Sequence, residues 1–376
     1  MNKKIFLSSP HMSEEGYEME YIQEAFRTNW IAPLGTNVNE FEKELAAMVG
    51  ATSAAALNNG TAAIHMALKA AGAGEGDIVF CQTFTFSASA NPIKYLHAIP
   101  VFIDSDYETW NMSSTALQKA FDQYKALGKM PKAVIVVHLY GLSADMDKIM
   151  ELCKQNGVTV IEDAAESLGT LYKGKHTGTF GDYGVYSFNG NKIITTSGGG
   201  MLVAKDPERI DKVKFWSTQA RDQARHYQHS ELGYNYRLSN VLAGIGRGQL
   251  KVLSKRIEKK KEIFTFYQTA FSDLPQITMM PVNAWNEPNY WLSCITLQGN
   301  VKPIDLLLAL EKEEIEARPL WKPMHLQPYY KDCDFVGEGV AEDLYHKGLC
   351  LPSDTKMTKD DLRRVAQIVI DVCKGK

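Results

Sequence analysis

The sequence predicts an α/β protein with a central, mostly parallel seven-stranded sheet and a smaller C-terminal α+β domain. Three observations carry this. Between residues 54 and 204, short apolar runs alternate with segments of helical periodicity, the order produced when parallel strands are joined by helical crossovers. Within runs such as Ala133-Val-Ile-Val-Val137 the apolar residues are continuous rather than alternating, which marks strands covered on both faces. A chain of 376 residues also exceeds the size at which one core usually stops growing. It therefore divides into a large domain over residues 1–250 and a small domain with its linking helix over residues 251–376.

In chain order, Ser13 caps a helix over residues 14–28 that places Tyr17, Tyr21, Ala25 and Phe26 on one face. The stretch Trp30-Ile-Ala-Pro-Leu-Gly35 breaks it. A second helix over residues 37–49 spaces Phe41, Leu45 and Met48 along one side before Gly50 stops it. Strands follow near residues 54–57, 78–82, 100–103, 133–137, 158–162, 183–187 and 200–204, with helices near 61–71, 87–97, 114–127 and 144–156 between them. Gly198-Gly-Gly200 before the last strand points to a close backbone turn and an antiparallel edge. Residues 248–269 read as one long helix leaving the large domain. A strand near 290–297 and helices near 303–313 and 356–373 complete the α+β remainder.

Composition narrows the function. A net charge of −3, with 45% hydrophobic and 23% charged residues, is ordinary for a soluble enzyme and offers no global attraction to nucleic acid or an anionic membrane. Lys259-Lys-Lys261 reads as a solvated helix face, so any anionic ligand must be met by local groups. The six cysteines are scattered without a C-x-x-C pair, the pattern of reduced, buried thiols in a cytoplasmic protein. The N-terminal apolar segment Ile5-Phe-Leu7 is too short for a secretion signal, and no run approaches a membrane span. Gly72-Ala-Gly74-Glu-Gly76 precedes a strand instead of opening a helix and so fails as a dinucleotide loop. His226 and His229 could share a helix face, but no third metal ligand is signalled.

In open sheets of this kind ligands sit beyond the carboxyl ends of the strands, and the chemistry-bearing residues fall there. Asp163 ends the run Val158-Thr-Val-Ile-Glu-Asp163. Lys192 lies in the turn after Ser187-Phe-Asn-Gly-Asn, with no acidic residue from Tyr183 to Lys205 to pair with it. An unpaired, partly desolvated lysine loses basicity and becomes a nucleophile toward carbonyls. An imine-forming amine and a carboxylate that keeps a pyridine nitrogen protonated are what pyridoxal phosphate requires. Asn59-Gly60-Thr61-Ala-Ala-Ile64 reads either as a helix start whose free amides favour a phosphate or as an ordinary turn capped by Thr61. Ser187 can add a hydroxyl to the same phosphate. Phe86 either stacks on a cofactor ring or joins the core. Glu166, three residues after Asp163, either shares its pocket or caps a helix.

Taken together, Glu162-Asp-Ala-Ala-Glu-Ser167, Ser187-Phe-Asn-Gly-Asn-Lys192 and Gly233-Tyr-Asn-Tyr-Arg-Leu-Ser-Asn240 resemble the DegT/DnrJ/EryC1/StrS sugar aminotransferases, which are fold-type I pyridoxal phosphate enzymes. The resemblance extends from Trp30-Ile-Ala-Pro-Leu-Gly35 to Ala317-Arg-Pro-Leu-Trp-Lys-Pro-Met-His325. The stretches 29–35 and 188–201 look most like the branch that aminates a UDP-linked 4-keto-6-deoxy-N-acetylhexosamine on the way to bacillosamine. It implies Lys192 as the lysine that carries the cofactor and Asp163 as the partner of its ring nitrogen. Gly60, Thr61 and Ser187 would hold the phosphate, Phe86 would cover one ring face, and Glu166 would approach the phenolic oxygen, where many members carry Gln or His. It further implies a homodimer in which Asn235 reaches the neighbouring subunit's phosphate, with His325, Arg237 and Arg318 near the nucleotide sugar.

The implied activity is a ping-pong transamination. L-glutamate converts pyridoxal phosphate to pyridoxamine phosphate, and the amine then passes to C4 of the UDP-linked ketosugar, for glycan or polysaccharide synthesis. Three alternatives stand beside it. The sugar could carry dTDP. The chain could be a regulatory protein that binds the cofactor without turnover, but such a protein would be expected to lose Lys192 or Asp163 or to add a DNA-binding module. It could be an NAD-type oxidoreductase, but that needs a glycine fingerprint opening a helix. Sugar dehydratases of the same fold carry His in place of the lysine, which Lys192 argues against.

Overall fold

Covered on both faces, the continuous apolar runs become strands. In the computed structural model, which describes residues 3–375, they are β1 (Ser53–Leu57), β2 (Ile78–Gln82), β3 (Ile99–Ile103), β4 (Ala133–Val137), β5 (Thr159–Asp163), β6 (Tyr183–Ser187) and β7 (Gly200–Ala204). Their order is β1-β7-β6-β5-β4-β2-β3. Strands β2 to β6 pair in parallel, while β7 is antiparallel to both β1 and β6.

Two expectations about this sheet need correction. The antiparallel strand is internal, not an edge. The turn after β6 folds the chain straight back, β1 closes over the other side of β7, and all five β7 residues are buried. Gly200 makes that crossing feasible, since a Cβ there would lie 2.4 Å from the Asn59 carbonyl oxygen. The sheet also has eight strands rather than seven, because Phe335–Val336 pairs in parallel with the open edge of β3. Two residues carry no periodicity that could announce them. What holds them is Asp104, just past β3, whose carboxylate accepts the N–H groups of Glu338, Gly339, Val340 and Ala341 at 2.8–3.0 Å.

Several helices differ from their expected limits for local reasons. The segment read as 87–97 is a single turn at Ser87–Ser89 and a short helix at Asn91–Tyr95, because Pro92 lacks an N–H and starts a helix more readily than it continues one. The long helix expected over 248–269 is two, Asn240–Leu250 and Leu253–Ala270. No breaker separates them, but the first follows its own packing. Gly244, Gly246 and Gly248 face Tyr21, Phe41 and Glu18 so closely that Cβ atoms would come within 2.5–3.0 Å of these residues. Ser13 accepts the Tyr17 N–H at the start of the first helix, Tyr17–Arg27, yet Phe26 is 58% exposed and does not share the buried side of Ala25.

A second, four-stranded antiparallel sheet contains Ile277–Met279, Ser293–Leu297, Gly348–Leu351 and Arg318–Pro319. With the helices Leu253–Ala270, Pro303–Lys312 and Lys359–Lys374 it encloses a core that includes Ile263, Leu306, Leu349 and Val365. Ile5 joins this core, and its backbone pairs with Glu314 and Glu316, so the N-terminal arm packs with the C-terminal sheet. Among the described residues no helix is long and apolar enough to cross a membrane.

Candidate active site

The parallel strands deliver their last residues to one edge of the sheet, and a cavity of about 320 Å³ opens there. Seven of the expected residues line it: Gly60, Thr61, Phe86, Asp163, Glu166, Ser187 and Lys192. At one side Asn59, the residue before the helix Gly60–Ala70, caps it by accepting the Ala62 N–H at 2.7 Å. Asn59 is therefore the cap, not Thr61. The amides of Gly60 and Thr61 at the helix start border the cavity, where the helix dipole favours an anion. A Cβ on Gly60 would lie 3.1 Å from the Ser187 Cβ, so glycine is what lets the end of β6 pack beside this helix start.

Asp163 is 4% exposed, and its carboxylate is held from two directions. Ser89 Oγ donates to Oδ2 at 2.7 Å and the Ala165 N–H to Oδ1 at 3.1 Å, while Thr85 Oγ1 lies 2.7 Å from Ser89 Oγ. Phe86 is half exposed at the cavity mouth, with its ring 5.2 Å from that of Trp321.

Lys192 is less isolated than its neighbours in sequence suggest. Its Nζ lies 3.7 Å from Glu166 Oε1 and 4.1 Å from the centre of the Trp291 ring. Both partners are remote in sequence, one in the turn after β5 and the other just before the small sheet, so a local window of residues could not contain them. Burial pushes the Glu166 carboxyl above its ordinary pKa, and the Lys192 ammonium and the Tyr140 N–H, which donates to Oε2 at 2.7 Å, only partly oppose this. Tyr140 holds the left-handed φ of 55° that aims this amide, and its hydroxyl accepts the Trp321 N–H at 2.8 Å.

The other four expected residues lie outside this cavity. The Arg237 guanidinium is directed at Glu42 Oε1, 2.8 Å away, and at the Ala56 carbonyl, 3.0 Å away. Arg318 borders a second cavity, of about 550 Å³, which shares Asn191, Trp291 and Trp321 with the first, and its guanidinium pairs with Glu316 at 2.8 Å. His325 lies outside both linings, with Nδ1 2.7 Å from Thr83 Oγ1 and its ring stacked 3.9 Å from that of Phe335. Asn235 is exposed, on a loop that bridges to Thr218.

Sequence reasoning placed Tyr140 only within a run at the carboxyl edge of the sheet and did not single out Ser89, Trp291 or Trp321. Ser89 follows Phe86 by three residues and could have been found as a second hydroxyl on the same loop. The two tryptophans arrive from the small sheet and its approach, and nothing local marks them.

The arrangement fits pyridoxal phosphate. A helix start and a hydroxyl for an anion, a buried carboxylate and a primary amine surround one cavity, with aromatic rings closing its sides. A model of the DegT/DnrJ/EryC1/StrS aminotransferase family matches residues 12–370. The chain is 56% identical over 374 residues to a Bacillus subtilis protein, EpsN, named by inference as a pyridoxal phosphate-dependent aminotransferase, covering 98% of this chain and 96% of that one. It is 37% identical to GDP-perosamine synthase of Escherichia coli O157:H7, over 94% and 95% of the two chains. It is 30% identical to the UDP-4-amino-4,6-dideoxy-N-acetyl-beta-L-altrosamine transaminase of Campylobacter jejuni, over 97% of each. The crystal structure of a DegT DnrJ EryC1 StrS aminotransferase from Brucella abortus superposes with a TM-score of 0.89 at 29% identity, over 95% of each chain. This chain therefore belongs to the DegT/DnrJ/EryC1/StrS aminotransferase family and is a pyridoxal phosphate-dependent sugar aminotransferase.

Proposed function

We propose that the enzyme transfers the amino group of L-glutamate to C4 of a UDP-linked 4-keto-6-deoxy-N-acetylhexosamine, giving a UDP-4-amino-4,6-dideoxy sugar for glycan or polysaccharide synthesis. The observation that carries the transfer itself is the single cavity shared by Lys192, Asp163 and the Gly60–Thr61 helix start. Similarity to the Campylobacter transaminase supports the UDP-linked amino sugar.

Bound pyridoxal phosphate supplies a carbonyl that takes up an amino group and a protonated ring that draws off the electron pair during proton transfer. Asp163, held by Ser89 and the Ala165 amide, keeps the ring nitrogen protonated. The Gly60 and Thr61 amides and the Ser187 hydroxyl would hold the phosphate. Lys192 would take the proton from the donor's Cα in the first half-reaction and, in the second, would supply a proton to C4 of the sugar. Glu166, 3.7 Å from the Lys192 amine, would accept a hydrogen bond from the phenolic position when ionised and donate one when protonated. Phe86, Trp291 and Trp321 exclude water from the reacting atoms.

The second cavity adjoins the first and presents Arg318 and Lys322, and we assign the nucleotide diphosphate to it. The homodimer reading, with Asn235 crossing to the partner's phosphate site, is supported by the exposed apolar side chains of Phe26, Trp30, Ile31 and Leu34. The cytoplasm is the expected compartment. Cys294 and Cys350, with sulfurs 3.6 Å apart, are free thiols that a reducing environment would keep so.

The similarity to GDP-perosamine synthase favours a second reading, in which the ketosugar carries GDP. Absorbance spectroscopy separates the two. L-glutamate should convert the bound cofactor to its pyridoxamine form, and of the UDP-, dTDP- and GDP-linked 4-ketosugars the UDP-linked acetamido sugar should restore the original spectrum fastest. Restoration only by the GDP-linked sugar would replace the proposed substrate, and a Lys192→Ala variant that still turned over would remove the assigned lysine.

A further inference from the structure

Lys260 lies outside both cavities, on the helix Leu253–Ala270, and is only 2% exposed. Among the described residues no carboxylate forms an ion pair with it, which is unusual for so deeply buried an amine. Its Nζ instead donates to the Trp291 carbonyl at 2.8 Å and to Ser8 Oγ at 3.1 Å. Both of these residues act on one further atom. Ser8 Oγ donates to the Asn191 carbonyl at 3.1 Å and the Trp291 indole N–H to the same carbonyl at 2.7 Å. Asn191 immediately precedes Lys192, and the Trp291 ring is the one 4.1 Å from the Lys192 amine.

We propose that Lys260 is a positioning residue: through Trp291 and Ser8 it closes a ring of hydrogen bonds around the Asn191 carbonyl and so sets where the Lys192 amine stands. This rests on Lys192 being the reacting amine. Three separate parts of the chain meet in that ring: the N-terminal arm, the turn between β6 and β7, and the approach to the small sheet. None of them is regular structure at the point of contact, so Lys260, by bonding both Ser8 and Trp291, fixes the two donors that hold the Asn191 carbonyl. Burial pulls the Lys260 amine down to about 7, with Asp354 the opposing nearby charge. Asp354 is itself occupied by Ser9 Oγ and the Lys356 N–H. A neutral amine still has two N–H groups, enough for both bonds, so the ring survives in either charge state.

The test compares holoenzymes of the wild type, Lys260→Met, Trp291→Phe and the double variant by kcat, KM for L-glutamate, and the pH midpoint of the bound cofactor's absorbance change. Lys260→Met is expected to lower kcat about 10- to 100-fold with KM changed by less than about 3-fold, the signature of a misplaced reacting group. The absorbance midpoint should move by about half a pH unit or more, because the environment of the Lys192 nitrogen changes. The double variant should be no worse than the poorer single variant, since both break one ring. Multiplying effects, or a lower melting temperature with kcat and midpoint unchanged, would overturn the proposal. Should Lys260→Met not fold, Ser8→Ala decides. Removing that hydroxyl from the arm should shift the midpoint in the same assay, and an unchanged midpoint and kcat would overturn the proposal. Loss of the Lys192 assignment would show separately, as turnover retained by Lys192→Ala.

Discussion

At the scale of the residue, the site depends on groups held by partners that do no chemistry themselves. Asp163 can keep a ring nitrogen protonated only while it stays aimed and ionised, and Ser89 is the side chain that aims it. Asp163→Asn should lower kcat by about 100-fold or more. Ser89→Ala, which removes one charge-assisted hydrogen bond, should lower it by about 10-fold in the same steady-state assay. Lys260 makes a prediction of a different kind. Its folded pKa, about 7, lies below its ordinary value of 10.5, so between these limits the unfolded chain holds a proton that the folded one does not. Stability should therefore rise with pH across that window, by up to about 1.4 kcal/mol per unit from this group. Thermal unfolding of wild type and Lys260→Met at intervals from pH 7 to 10 should show the dependence in the first and a flatter curve in the second.

At the scale of the element, the buried ends of β4 and β5 are tied by one carboxylate. Glu162 accepts the N–H groups of Gly178, Phe180 and Gly181 at 2.6–2.7 Å and lies 2.9 Å from His138 Nε2. Because His138 Nδ1 accepts the Ala144 N–H, Nε2 is the nitrogen that donates to Glu162. Replacing this fully buried carboxylate by Gln puts an NH2 group where acceptors are needed. Glu162→Gln should destabilise the protein by about 3 kcal/mol in denaturant unfolding, with β5 and the turn after β4 that holds Tyr140 losing order first. Elements of this kind were readable only in part. β2, β4 and β6 stood out as apolar runs, whereas the break between the helices Asn240–Leu250 and Leu253–Ala270 did not, because it comes from the glycine face packed on Tyr21 and Phe41 rather than from a residue that stops helices.

At the scale of the whole molecule, the prediction concerns two chains. If Asn235 serves the partner's phosphate site, inactive Lys192→Ala subunits and impaired Asn235→Ala subunits should complement each other. Mixed, dissociated and reassembled, they should recover about a quarter of wild-type activity, because half of the dimers are mixed and each of those has one intact site. No recovery would place Asn235 within its own subunit's site. The sequence alone determined the parallel sheet, the position of its carboxyl edge, and the assignment of Asp163, Ser187 and Lys192 to that edge, since strand periodicity and strand ends are local properties of the chain. The tertiary structure decided the rest. It placed β7 inside the sheet, added Phe335–Val336 to its edge, directed Arg237 to Glu42, and brought Glu166 and Trp291 to the Lys192 amine. Each of these joins segments far apart in sequence, and such contacts are selected by packing and by the pairing of buried polar groups, neither of which leaves a periodic trace in the residues involved.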